Sequence, residues 1–172
     1  MHTYFKFVLG IIFILISSCA DEDPCPRCFE DIVTCKVNGK EWQSNCISHD
    51  PLFGCTSVGC YYYFRDDHSM TLNSIDDLAN INIEISQSKL TGGLKIGNQI
   101  LRSRDVRIGN RNQNGNCFEY EYLDSTFNNN LLINKIDTIN YIIEGQFEFK
   151  VNNHCGDTAT ITDGHFKTKF IY

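Results

Sequence analysis

Over most of the chain, apolar side chains recur at every second position, the pattern of strands that turn one face to a core and the other to water. The clearest run sets Tyr141, Ile143, Gly145, Phe147, Phe149 and Val151 against Glu144, Gln146, Glu148, Lys150 and Asn152. Phe118, Tyr120 and Tyr122 alternate with Glu119 and Glu121, Ile81, Ile83 and Ile85 with Asn82 and Glu84, and Val106 and Ile108 with Asp105 and Arg107. Towards the C-terminus Phe166 and Phe170 oppose His165, Lys167 and Lys169. Near the N-terminus Cys35-Lys36-Val37-Asn38-Gly39-Lys40-Glu41-Trp42 sets Asn-Gly between two short strands. Both turn residues accept a positive φ, so a two-residue hairpin is predicted there, with Trp42 facing inward.

Polar stretches at 91–93, 110–116, 128–130 and 152–157 separate these runs, which gives roughly eight to ten strands joined by loops. The fold class this predicts is all-β, an antiparallel β-sandwich. A lipocalin-like β-barrel is the close alternative, because alternation fixes which face is buried and not whether the sheet closes. One helical signal stands out, Ser74-Ile75-Asp76-Asp77-Leu78-Ala79, with Ser74 as N-cap and acids in the first turn.

The first eighteen residues break the pattern. Lys6 precedes the apolar run from Phe7 to Ile16, followed by Ser17-Ser18-Cys19. That run is too short to cross a bilayer, which takes about 20 residues, and suits a secretory signal peptide, whose apolar core is about 7–15. Ile16-Ser17-Ser18-Cys19 resembles the bacterial lipobox, with Ile16 where Leu is commoner and Ser18 where Gly or Ala is commoner. The resemblance implies cleavage before Cys19 and lipidation of its thiol, which would hold the mature protein to a membrane. Ala20-Asp21-Glu22-Asp23-Pro24 then resembles the sorting signal that places lipoproteins of Bacteroidota-type bacteria on the outer face of the outer membrane. The expected organisation is a signal peptide over 1–18, a lipidated Cys19 with an acidic linker over 19–30, and a single β domain over 31–172.

A length of 172 residues with 42% hydrophobic content suits one core. Without Lys6, fourteen basic residues face twenty-one acidic ones, a net charge of −7 from Cys19 onward. That argues against nucleic acid, whose phosphates call for a basic patch. Nine cysteines less Cys19 leave Cys25, Cys28, Cys35, Cys46, Cys55, Cys60, Cys117 and Cys155. An even set in an exported protein reads as a disulfide framework, here up to four bridges, with the N-terminal portion disulfide-rich and Cys117 paired with Cys155.

Cys25-Pro26-Arg27-Cys28 has the spacing of a thiol-disulfide oxidoreductase, but no strand precedes it and no helix follows to lower a thiol pKa. Zinc held by Cys25, Cys28 and two later cysteines is a further alternative, weakened by the missing second Cys-x-x-Cys pair. No hydrolase elbow, zinc-protease helix or phosphate-binding glycine loop is present. His49 and His68 lie beside aspartates in loop-like sequence, His154 beside Cys155, and His165 on a solvent face. No cofactor or metal is therefore expected.

The stretch Ile142-Ile143-Glu144-Gly145-Gln146-Phe147-Glu148-Phe149, followed by Ile161-Thr162-Asp163-Gly164-His165-Phe166, resembles the closing "GxFxF" and "ITxGxF" strands of small uncharacterised lipoproteins from Bacteroidota. Asn38-Gly39-Lys40-Glu41-Trp42 matches their "NGxxW" hairpin. Lys167 stands where that family commonly has Asp. The resemblance implies an anchored β domain and transfers no catalytic residue. The expected function is a non-enzymatic binding or structural module, extracytoplasmic and surface-exposed, with a protein or a glycan as partner. Tyr61-Tyr62-Tyr63-Phe64 is the candidate binding surface, since consecutive rings on a strand must point to both faces.

Overall fold

The computed structural model describes residues 31–45, 56–63, 69–76, 79–85, 94–110 and 117–171. They form eleven strands: β1 (Ile32–Val37), β2 (Lys40–Gln43), β3 (Val58–Tyr63), β4 (Ser69–Ile75), β5 (Ala79–Ile85), β6 (Gly97–Gln99), β7 (Val106–Asn110), β8 (Glu119–Leu123), β9 (Asn130–Asp137), β10 (Ile142–Asn153) and β11 (Thr158–Lys169). Every ladder is antiparallel, in one curled sheet of order β2-β1-β11-β10-β8-β7-β5-β4-β3, with β9 on β10 and β6 on β9. The expected all-β, antiparallel class is thus present, in the form of a single curled half-barrel sheet.

The centre is the long hairpin of β10 and β11, each twelve residues. Its register sets Gly145 opposite Phe166 and Phe147 opposite Gly164. A Cβ on Gly145 would lie 2.5 Å from the Phe166 ring, and one on Gly164 would lie 2.6 Å from the Phe147 ring. Each ring therefore fills the space that its partner's missing side chain leaves. This is aromatic rescue of strand glycines, made reciprocal. Phe149 stacks beside Phe147 at 6.0 Å, extending the ring cluster into the core.

Two irregularities bend this spine. The registers of β11 with both β10 and β1 shift by one residue around Asp163, which has φ +52°. That is a bulge in which one extra residue increases the local twist. The second is a fork: one edge of β10 pairs with β9 through Ile142–Glu148 and with β8 through Val151–Asn153. The loop across the fork is pinned to β10, because Asp124 takes the Lys150 ammonium at 2.8 Å and the Asn129 amide oxygen accepts the Lys150 N–H at 2.9 Å. The curl brings the path's far edge back to the chain's end. Ile171 donates its N–H to the Cys60 carbonyl and accepts the Tyr62 N–H, each at 2.9 Å.

The inward rows form one core that includes Val33, Trp42, Leu72, Ile81, Ile83, Val106, Ile133, Phe149 and Ile161. Asn38 and Gly39 both have positive φ and join β1 to β2 as expected, and Trp42 is buried. The helix expected over Ser74–Ala79 is not formed: Ser74 and Ile75 close β4 and Ala79 opens β5. The inward row Met70, Leu72, Ser74 pairs with Ile85, Ile83, Ile81, and burying that face outweighs a weak local cap. Asp76 serves the hairpin instead, its carboxylate accepting the Ala79 N–H at 2.6 Å.

The expected cysteine framework holds in one place. Cys117 and Cys155 are bonded, 38 residues apart with Cα atoms 5.7 Å from each other, a closure that stabilises by about 4 kcal/mol on the chain-entropy account. Asn153 braces that end, donating to the Cys117 carbonyl and accepting the N–H groups of Cys155 and Asp157. Cys35 and Cys60 are not bridged; they are free and buried. Each occupies an inward strand position, where a thiol packs as a small apolar group. Cys25, Cys28, Cys46 and Cys55 lie outside the described residues, so the N-terminal disulfide density has no counterpart in the described strands.

The spine makes a sharp forecast for urea unfolding. Gly164→Val should cost about 3 kcal/mol, since a branched side chain must displace the Phe147 ring, and Phe166→Ala about 3–5 kcal/mol. Asp163→Gly should stay within about 0.5 kcal/mol of wild type, because relief of the left-handed backbone offsets one exposed ion pair.

Candidate functional site

Strand β3 presents alternate rings to opposite sides. Tyr62 is 4% exposed and packs edge-on against Phe170 at 5.2 Å, whereas Tyr61 is 43% and Tyr63 51% exposed. The expected binding segment is thereby split into one core residue and two surface rings, and Phe64 lies outside the described residues. Tyr61 and Tyr63, two positions apart, share the outer face.

Both flanks of Tyr61 are defined by hydrogen-bonded neighbours. On one side a parallel bridge pairs it with Ile171, which is exposed. Ile171 in turn lines a shallow cavity of about 630 Å³ with Asn140, Tyr141, Lys169 and Phe170. On the other side the register places Thr71 and then Glu84 beside Tyr61. The next row runs Gly59, Asn73, Asn82, Arg107, and the Asn82 amide donates to the Asn73 side-chain oxygen. These two outer rows of β3, β4, β5 and β7 are therefore mostly polar, with Glu84, the neighbouring Asp105 and Arg107 as their charges and two rings at the edge.

The cavity wall is built by a turn that one carboxylate organises. Asp137 accepts the N–H groups of Ile139 and Asn140 at 3.1 and 3.0 Å and the Asn140 side-chain amide at 2.9 Å. Those bonds, the Asn140 amide first, hold the Asp137 carboxyl down at about 2. Tyr141 follows with φ +58°, which takes it out of the inward row of β10 that the sequence suggested and leaves it 37% exposed. Its ring touches Phe170 at 5.8 Å. The signal for this departure was the Asp-x-x-Asn spacing of Asp137 and Asn140.

The two described histidines, His154 and His165, are both exposed. His154 is in the turn beside the disulfide, its ring nitrogen 3.1 Å from the Tyr122 hydroxyl, and His165 is exposed on β11 between Thr34 and Gln146. Among the described residues no three His, Cys, Asp or Glu side chains are placed to hold a metal ion. Burial pushes the thiols of Cys35 and Cys60 up to about 12, with Asp76 and then Glu41 adding to the shift at Cys35 and Asp31 at Cys60. His49, His68, Cys19, Cys25 and Cys28 lie outside the described residues. No family model, curated protein or solved structure matches this chain.

Two measurements check these assignments. Iodoacetamide at pH 8 should leave Cys35 and Cys60 unmodified in the native protein and label both in urea, because covered thiols with a pKa of about 12 hold almost no thiolate. The Asp137 carboxyl carbon should titrate near 2 and move up towards the ordinary value of about 4 in Asn140→Ala. A depressed carboxylate pKa stabilises the fold above its unfolded value, and that contribution is lost as pH falls through about 2.

Proposed function

We propose that this chain is a lipid-anchored extracytoplasmic binding module with no chemistry of its own, carried on the outer membrane by Cys19, with the strip around Tyr61 as its working surface. The observation that carries this reading is the exposure of Tyr61 and Tyr63, at 43% and 51%, on a strand whose intervening ring is buried. Neither ring belongs to the buried core of the described residues. Outward tyrosines beside a cavity suit recognition, since each offers a rigid apolar face and a hydroxyl.

The anchored address rests on the apolar leader, the lipobox-like Ile16-Ser17-Ser18-Cys19 and the acidic residues behind it. The likeness to small lipoproteins of Bacteroidota supports the same address, and the residues that carry it are those of the β10–β11 spine and the β1–β2 turn. The bridge between Tyr61 and Ile171 favours a lipocalin-like closure over two stacked sheets. Thiol-disulfide exchange through Cys25 and Cys28 draws no support from the described thiols, which are covered and protonated.

Metabolic labelling with a clickable palmitate tests the address. The wild-type chain should carry label and fractionate with outer membrane, and Cys19→Ser should lose both. Label retained in Cys19→Ser, or a wild-type chain recovered free in the periplasm, would remove the anchor from the proposal.

A further inference from the structure

We infer that the outer face of β3, β4, β5 and β7 binds an uncharged carbohydrate chain, its sugar rings laid against Tyr61 and Tyr63. This rests on the reading of that face as the working surface and names the class of ligand.

Three features of the face select the ligand. The first is what surrounds the rings. The cores of protein docking sites are contiguous and apolar, but the row from Tyr61 continues into Thr71 and Glu84, and the row beside it into Asn73, Asn82 and Arg107. The exposed aliphatic neighbour of Tyr61 is Ile171 on its opposite flank; across β4, β5 and β7 these two rows carry none. Phenol faces next to amides and hydroxyls match a sugar, which has an apolar C–H face and a rim of hydroxyls.

The second feature is charge. Along the two rows the charged side chains are Glu84, Asp105, whose carbonyl accepts the Glu84 N–H at 2.6 Å, and Arg107. Polyanions and anionic lipid surfaces call for clustered Lys and Arg, and these rows set two acids against the single base Arg107. A neutral, hydroxyl-rich polymer is the class that remains complementary.

The third feature is Gly59, which points outward two residues before Tyr61. A glycine inside a strand weakens it, and is expected where the backbone needs a positive φ or meets a close neighbour. Gly59 has neither: its φ is not positive, and an added Cβ would meet nothing within 4 Å. What the glycine does provide is a notch on the surface, floored by backbone and flanked by the Tyr61 and Asn73 positions. A sugar ring stacked on Tyr61 would extend into that notch and reach the Asn73 and Asn82 amides.

Native gels of the full mature protein in mild detergent, cast with laminarin, xylan, galactomannan or amylopectin and with heparin for comparison, test the inference. Retardation is expected in at least one neutral polymer. It should weaken tenfold or more in the Tyr61→Ala, Tyr63→Ala double variant. Gly59→Val should weaken it comparably while leaving the urea midpoint equal or higher, which separates loss of the notch from loss of the fold. Retardation by heparin alone, by no polymer, or undiminished in the double variant overturns the carbohydrate. A benzophenone side chain at position 63, photolysed on intact cells, separates this failure from that of the wider reading. A protein adduct without polymer binding overturns the sugar and leaves the working surface; no adduct and no retardation overturn both.

Discussion

The reciprocal seating of two phenylalanines over two glycines fixes the register of β10 against β11, and the remaining strands take their places from that hairpin. Phe147 covers Gly164 and Phe166 covers Gly145. Sliding the pair by one residue would turn each strand's inward row to solvent, and sliding by two would set Phe147 against Phe166 in one direction or Gly145 against Gly164 in the other. A bulky cross-strand pair permits several neighbouring registers at modest cost. A matched ring and gap permits one. β1, β9 and β8 then read their own alignment off the two outer edges of this hairpin.

Curvature follows from where the spine is imperfect. The bulge at Asp163 twists β11 relative to both neighbours, and the Lys36 ammonium closes over the Asp163 carboxylate at 2.8 Å. That contact draws the carboxyl below the usual range. The fork of β10 lets the sheet bend on the opposite edge without leaving a gap, since the Asp124–Asn129 loop bonds the backbone there. Asp124 is held well below the ordinary carboxylate range, chiefly by Lys150 and then Thr126. With both sides bent, β3 arrives beside the tail, and Tyr61 finds its neighbour in Ile171.

Period-two alternation belongs to the chain itself, so the inward rows of β5, β7, β10 and β11 were legible before any fold was known. The Asn-Gly hairpin was equally plain, because its backbone demand is local. The Cys117–Cys155 bridge was readable from the isolation of those two residues. Cys35 and Cys60 were misread because counting thiols took precedence over their strand parity, which makes them core residues. Ser74 failed as a helix cap for a similar reason: a six-residue local signal gave way to the long-range match of Met70, Leu72 and Ser74 with β5. For the surface, sequence could say that Tyr61 to Phe64 must face both ways but not which rings face out. The bridge to Ile171 and the turn around Asp137 bring distant segments to Tyr61, and register of that kind is a property of the folded sheet. The glycines of the "GxFxF" and "ITxGxF" strands were visible as a likeness and became a mechanism only when placed opposite their rings.

The partners of β1 carry a consequence for how the molecule is made. Lys36 and Asp163 are 127 positions apart, and β1 lies between β2 and β11. A polypeptide is made N-terminus first, so the β1–β2 hairpin is complete well before its other neighbour, β11, has been synthesised. Until then one edge of β1 offers bare N–H and carbonyl groups to any passing strand. The β1–β2 hairpin is local, but the sheet closes over β1 only when a strand more than a hundred positions downstream is laid beside it.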